Sequence, residues 1–119
     1  MPIAMHHEGG NVYRFDVRGC WRQTDQQRCQ QLLATSIGAL GSVRLLFVLE
    51  EFTGWEQQGG WDDVSFFVQH GSAIERIAIV GDPRWHDAAL MFAAAGLREA
   101  PVRFFTAGEL LDARRWLTA

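Results

Sequence analysis

Two runs of consecutive apolar residues indicate strands that are covered on both faces. They are residues 45–49, within a strand expected over 43–49, and residues 77–80, which form the next expected strand. Uninterrupted apolar runs of this length are typical of an α/β layer, where helices lie on both sides of the sheet. Residues 11–18 alternate instead between apolar and polar positions, which predicts an antiparallel or edge strand with one wet face. Residues 19–22 are expected to turn back as a second short strand.

Helical periodicity separates these strands. Residues 24–40 form an amphipathic pattern that opens with a Thr24–Gln27 capping box and stops at Gly41. Residues 50–60 then predict a loop that carries Trp55. The remaining expected elements are helices over 61–71 and 83–97, a strand over 102–105, and a last helix that opens with a Thr106–Glu109 capping box and buries Leu110, Ala113 and Leu117.

The segment Gly81-Asp82-Pro83 marks a junction between a strand and a helix. Asp82 has the character of a helix N-cap. Pro83 suits the first helical position, where its missing N–H has no partner to lose. This junction places Trp85 beside the edge at which open α/β sheets bind ligands.

The order of elements predicts the fold class. Two strands followed by alternating helices and strands indicate an α/β domain. We expect a single compact domain over residues 1–119, with a mostly parallel mixed sheet, an antiparallel N-terminal edge and about four helices. Residues 1–10 are expected to be a flexible lead-in.

Composition narrows the classes of function. The chain has 119 residues and a formal net charge of −3, and all 11 of its basic residues are arginine. These arginines do not cluster, so no nucleic-acid partner is expected. The lack of lysine excludes a Schiff-base mechanism. Without a secretory signal or a membrane-length apolar run, we expect a cytoplasmic protein that at most contacts a membrane surface, with Cys20 and Cys29 as free thiols.

A set of residues between Tyr13 and Leu117 resembles, in order and spacing, the SpoIIAA-like family. The set comprises residues 45–49, Trp55, residues 61–63, His70, and residues 76–85, 102–105 and 113–117. The resemblance implies the fold of STAS domains, which is similar to that of CRAL-TRIO lipid-binding domains. It also implies a role in binding a small apolar ligand or a membrane, without catalysis.

One departure from the related sporulation regulators concerns their phosphorylated serine. In those anti-anti-sigma factors, this serine starts the helix after a central strand. Residues 50–55 contain no serine here, and Thr53 is the nearby hydroxyl. Glu50 and Glu51 would repel an added phosphate, so a phosphorylation switch of that kind is not expected.

Aromatic residues in the middle of the chain are the candidate binding site. Two predicted helices carry a core stripe and a second apolar patch, and such patches mark ligand grooves or partner surfaces. Two-sided packing in a small protein is the alternative explanation. The candidate ligand-binding residues are Trp55, Trp61, Phe66, Phe67, Trp85 and Phe92, and the candidate interface residues are Phe66, Leu90 and Leu97.

No catalytic, cofactor or metal site is expected. Any proton transfer would have to use His70 or His86. Asp87 follows His86 directly, and neighbouring helical residues point to different faces, so no dyad is predicted. The acidic residues between Glu50 and Asp63 lack the spacing of a calcium loop.

The leading hypothesis is a non-enzymatic binding module for a small apolar or lipid-like ligand, with peripheral membrane contact. The ligand would lie between the helices predicted over 61–70 and 83–97. The alternative is a STAS-like interaction or regulatory domain without the phosphorylatable serine, in which the apolar patch meets a partner. We expect a homodimer, because a symmetric contact would cover Phe66, Leu90 and Leu97. An uncharacterised hydrolase is a third, weaker hypothesis.

Overall fold

The first two strands form an antiparallel hairpin at one edge of the sheet. In a computed structural model that describes residues 3–56, 71–93 and 100–119, strand β1 is Ile3–Gly9 and strand β2 is Val12–Trp21. The prediction of a flexible lead-in over residues 1–10 is therefore wrong for β1. The strand forms because Ile3 is buried and Met5 packs against the same core layer.

The other strands continue the sheet in parallel. They are β3 (Val43–Trp55), β4 (Ile74–Gly81) and β5 (Val102–Thr106). The five strands lie in the order β1-β2-β3-β4-β5, and each neighbouring pair from β2 to β5 is parallel. The predicted α/β class, with a mostly parallel sheet and an antiparallel N-terminal edge, is confirmed.

Three α-helices lie in the described part of the chain. They are α1 (Gln23–Leu40), α2 (His86–Phe92) and α3 (Leu110–Thr118). Four helices were predicted. The one expected over 61–71 lies outside the described residues up to Gly71, which begins a 3₁₀ turn ending at Ala73. A second 3₁₀ turn, Pro83–Trp85, leads into α2.

Two apolar layers cover the two faces of the sheet. On one face, α1 contributes Cys29 and Leu33, and α2 contributes Ala89. On the other face, α3 buries Ala113 and Leu117 completely. The β4 run divides between the layers, with Ile77 and Ile79 on one side and Ala78 and Val80 on the other. The four consecutive apolar residues of β4 are therefore explained by burial on both faces of the sheet, as predicted.

Two predicted helix starts agree with the structure and one does not. The Asp82 carboxylate accepts a hydrogen bond from the Arg84 N–H at 2.9 Å. The Glu109 carboxylate accepts one from the Thr106 N–H, also at 2.9 Å. Helix α1 begins at Gln23, one residue before the predicted start, and the Arg22 N–H donates to Asp25. The prediction of a Thr24–Gln27 capping box is therefore wrong.

Two strands extend further than predicted. Strand β2 continues through Gly19, where its pairing with β3 shifts register, so residues 19–22 do not turn back. Strand β3 runs on to Trp55, which was expected in a loop. The backbone of β3 is irregular at Glu51 and Gly54, where the φ angles are positive at 50° and 113°. The strand continues beyond both residues. The extra length carries aromatic side chains to the carboxyl edge of the sheet.

Candidate functional site

Aromatic side chains meet where the central strands end. Trp21 ends β2, Phe52 and Trp55 lie at the end of β3, Trp85 closes the turn after β4, and Phe92 ends α2. These five residues are called the aromatic cluster below. Its position at the carboxyl edge of parallel strands is the usual location of ligand sites in open α/β sheets.

The rings of the aromatic cluster form a chain of close contacts. The centroid of Trp55 lies 4.9 Å from Phe52, 6.0 Å from Trp85 and 5.3 Å from Phe92. Phe52 also meets Trp85 at 5.1 Å, and Trp21 meets Phe92 at 6.2 Å. Most pairs are edge-to-face, the arrangement that the ring quadrupoles favour.

Burial divides the aromatic cluster into a base and a rim. Trp21 and Phe52 are buried, Trp55 and Trp85 are half-buried, and Phe92 is 39% exposed. The Trp21 indole N–H donates to the Gln26 side chain at 3.0 Å, which satisfies its one polar group. The rim therefore presents aromatic surface that a ligand or partner can reach.

The structure brings together three of the six predicted ligand-binding residues. Trp55, Trp85 and Phe92 belong to the aromatic cluster. Trp61, Phe66 and Phe67 lie outside the described residues. Trp21 and Phe52 were missed, and their aromatic character near the ends of predicted strands was the available signal.

The predicted interface residues are only partly described. Leu90 is half-buried, and Phe66 and Leu97 lie outside the described residues. Met91, the next residue of α2, is more accessible than Leu90. It is 80% exposed and precedes Phe92. The prediction of an interface at Phe66, Leu90 and Leu97 stays a prediction.

A pair of polar residues, separate from the aromatic cluster, lies at the start of α2. The Nδ1 atom of His86 is 2.8 Å from Oδ1 of Asp87, so the expectation that these neighbours stay apart is wrong. His86 is the first residue of α2 and follows the 3₁₀ turn Pro83–Trp85, and its ring reaches the carboxylate of the next residue in the chain. The pair borders a cavity of about 380 Å³ between α2 and β5.

The hydroxyl nearest to the expected position of the regulators' phosphorylated serine does not lie at a helix start. Thr53 is an exposed residue within β3, between Phe52 and Gly54. Its acidic neighbour Glu50 pairs with Arg18 at 2.7 Å. The geometry of a phosphorylated helix start is thus not present at residues 50–55.

The potential metal ligands and the thiols can be located in the described ranges 3–56, 71–93 and 100–119. Within them, no three histidine, cysteine or acidic residues are placed to hold a metal ion. Both cysteines are free thiols, and burial raises the pKa of Cys29 to about 12. None of the helices in these ranges is long and apolar enough to cross a membrane.

Comparisons with known proteins agree on one class of fold. An uncharacterized protein with a SpoIIAA-like fold from Shewanella loihica PV-4 is similar, with a TM-score of 0.72 and 22% identity over 97% of this chain and 91% of that one. The anti-sigma factor antagonist SpoIIAA in its unphosphorylated form is also similar, with a TM-score of 0.61 and 13% identity over 95% of this chain and 97% of that one. No curated protein gives a significant match.

The sheet order, the helices on both faces and these likenesses define a SpoIIAA-like α/β domain. The family model named SpoIIAA-like matches residues 12–118. The chain belongs to the SpoIIAA-like family.

Proposed function

We propose that this chain is a STAS-like protein-interaction and regulatory domain without the phosphorylatable serine, and that it is not an enzyme. The observation that carries the proposal is the outer surface of α2, where Met91 is 80% exposed and Phe92 39% exposed. We call these two residues the α2 patch. One structural relative, an anti-sigma factor antagonist, supports a role exercised on another protein.

The chemistry of the α2 patch suits a protein partner. Methionine and aromatic residues are enriched in interfaces. Methionine also adapts its shape to different surfaces because its side chain is unbranched. The patch lies beside Trp55, which contacts Phe92, so a partner would rest on a base of packed rings.

Paired variants of α2 test this proposal. Met91→Glu places a charge in the α2 patch, whereas Ala88→Glu places the same charge at another exposed position of the helix. We expect a partner retained from a cell extract by the original protein to be retained by Ala88→Glu and lost by Met91→Glu, with unchanged circular dichroism. Equal retention by both variants would remove the α2 patch from the interaction.

Self-association is a separate proposal with its own test. A homodimer would cover Leu90 and the predicted interface residues Phe66 and Leu97. Analytical ultracentrifugation at micromolar concentration should then show a dimer, and Leu90→Glu should shift it to a monomer. A monomer at every concentration would assign these residues to other contacts.

The second candidate function is binding of a small apolar or lipid-like ligand. The observation that favours it is the half-exposed aromatic rim, where Trp55 and Phe92 lie 5.3 Å apart at the carboxyl edge of the sheet. Titration with an apolar fluorescent dye should give saturable binding and altered tryptophan emission, and Trp55→Ala should weaken it. A folded protein that binds no such dye would exclude this function.

We propose a cytoplasmic location with peripheral membrane contact under the ligand-binding hypothesis, and no nucleic-acid partner. Co-sedimentation with vesicles of neutral and anionic lipid tests the membrane contact. The net charge of −3 predicts no preference for anionic vesicles.

A further inference from the structure

The cavity between α2 and β5 combines acidic, aromatic and apolar walls. Its volume is about 380 Å³, close to the lower end of the range for small-ligand sites. It opens at the carboxyl edge of β5. The lining residues are Pro83, His86, Asp87, Phe104, Thr106 and Glu109.

Two carboxylates border this cavity, each with one oxygen in use. Oδ1 of Asp87 lies 2.8 Å from His86, and Oε1 of Glu109 accepts from both the N–H and the hydroxyl of Thr106 at 2.9 Å. Within the described residues, the second oxygen of each carboxylate has no hydrogen-bonding partner. The two bonds from Thr106 also lower the pKa of Glu109, so this carboxylate keeps its charge in mild acid.

Within residues 3–56, 71–93 and 100–119, no arginine belongs to the lining of the cavity. The nearest arginines in the sequence are directed elsewhere. Arg84 lies over the Trp85 ring at 5.2 Å, and Arg103 lies over the Phe105 ring at 5.0 Å. Phe105 belongs to the core layer under α3, on the opposite face of the sheet from α2. The charge of Arg103 still acts on Glu109 and helps to lower its pKa, so the cavity keeps the negative charge of Asp87 and a partly compensated Glu109.

The remaining walls suit a flat cation. The rings of His86 and Phe104 stand edge-to-face with centroids 5.2 Å apart. In the tautomer that donates from Nδ1 to Asp87, the Nε2 atom of His86 is a free acceptor. Phe104 lines the cavity as a half-buried aromatic ring, and a guanidinium stacks favourably on aromatic rings. Pro83 adds an apolar wall for the methylene groups of a side chain.

We propose that this cavity receives an arginine side chain presented by a protein partner. The inference rests on the proposed interaction function and adds the chemistry of one contact. A guanidinium offers five donors in a planar fork, which suits carboxylate oxygens beside an aromatic wall better than the point charge of lysine does. Charge complementarity between the acidic cavity and this cation argues for the occupant.

The test is an NMR titration with short blocked peptides. The probes are acetyl-Gly-Arg-Gly-amide, its citrulline analogue, which keeps the shape without the charge, and its lysine analogue. We expect the arginine peptide to shift the His86 and Phe104 resonances along a saturable curve that weakens in high salt. The citrulline peptide should leave them unchanged, and the lysine peptide should bind more weakly.

Charge-neutralising variants locate the contact. Asp87→Asn and Glu109→Gln should each weaken the arginine peptide about three- to tenfold. Glutamine also serves at the third position of a capping box, so Glu109→Gln keeps the helix start. Asp112→Asn, on exposed α3 surface outside the cavity, is the matched control and should change nothing.

Three results would overturn the inference: equal shifts with citrulline, equal binding of lysine, or an Asp112→Asn effect as large as that of Asp87→Asn. The failure is distinguishable from failure of the interaction function. A partner that still depends on Met91, in a protein that ignores the arginine peptide, would sink the arginine site and leave the α2 patch in place.

Discussion

The indole ring of Trp85 lies against the backbone of Gly54. A β-carbon built on Gly54 would be 3.5 Å from Cη2 of the ring, an ordinary van der Waals distance. The contact joins the end of β3 to the turn after β4. One side of the aromatic cluster therefore packs against the main chain of β3. Gly54 is buried there with a φ angle of 113°, a conformation that L-residues rarely adopt.

Gly54→Ala should destabilise the protein because of this φ angle, since the added methyl group has room. We expect a loss of about 1–2 kcal/mol in the free energy of unfolding, measured by urea denaturation. Gly38→Ala is the control, because Gly38 lies within helix α1 with no atom near its β-carbon position. That change should stabilise by about 0.5–1 kcal/mol. Equal effects of the two substitutions would contradict the conformational explanation.

Leu117→Ala should be among the costly substitutions in α3. Leu117 is fully buried in the core layer under that helix, so truncation leaves a cavity and should cost about 2–5 kcal/mol in the free energy of unfolding. Leu111→Ala makes the same change in the same helix at a side chain that is 60% exposed. It should cost less than about 0.5 kcal/mol. Thermal and urea unfolding of the two variants would reveal any reversal of this order.

The two cysteines should differ in reactivity. Burial raises the pKa of Cys29 to about 12, so little thiolate forms there at neutral pH, whereas Cys20 is half-buried. Iodoacetamide should therefore label Cys20 in the native protein and both residues in urea. Mass spectrometry after timed labelling checks this, with Cys20→Ser expected to remain unlabelled until it unfolds. Native labelling of Cys29 at the rate of Cys20 would show that its site opens readily.

Glu75 should make the free energy of unfolding depend on pH. Hydrogen bonds from Asn11 and then Arg44 lower its pKa below the ordinary value of 4.5. A lowered folded pKa contributes stability above the unfolded pKa, and this contribution is lost as pH falls through the folded pKa. Glu75→Gln should thus be less stable than the original protein near neutrality, and the gap should close in acid. Urea midpoints measured across this range test the sign, and a gap that widens in acid would refute it.

The parallel strands could be predicted because burial on both faces leaves a direct mark on the sequence. The run Ile77–Val80 is apolar throughout since its residues alternate between two core layers. Strand β1 could not be found in this way, because His6 and Glu8 are polar and exposed. Glu8 pairs with Arg14 of the neighbouring strand at 3.2 Å and with Arg114, far along the chain, at 2.8 Å. Ion pairs of this kind depend on the finished fold.

The aromatic cluster was predictable only in part for a geometric reason. Trp55, Trp85 and Phe92 were identified from their composition and spacing. Trp21 and Phe52 join them because β2 and β3 shift register beyond Arg18. A shift of one residue exchanges the two faces of a strand, so simple alternation cannot assign these side chains. The His86–Asp87 contact was missed because helical geometry was applied at the first residue of a helix.

Strand β1 determines which strand forms the edge of the sheet. The family match begins at Val12, so Ile3–Gly9 precede the matched region. In the described sheet β1 shields β2, whose N–H and C=O groups on that side would otherwise face solvent. A chain shortened to begin near Val12 would expose a long parallel-sheet strand as a template. Edge-to-edge association of such fragments is the expected consequence, whereas in the described sheet β1 covers that side of β2.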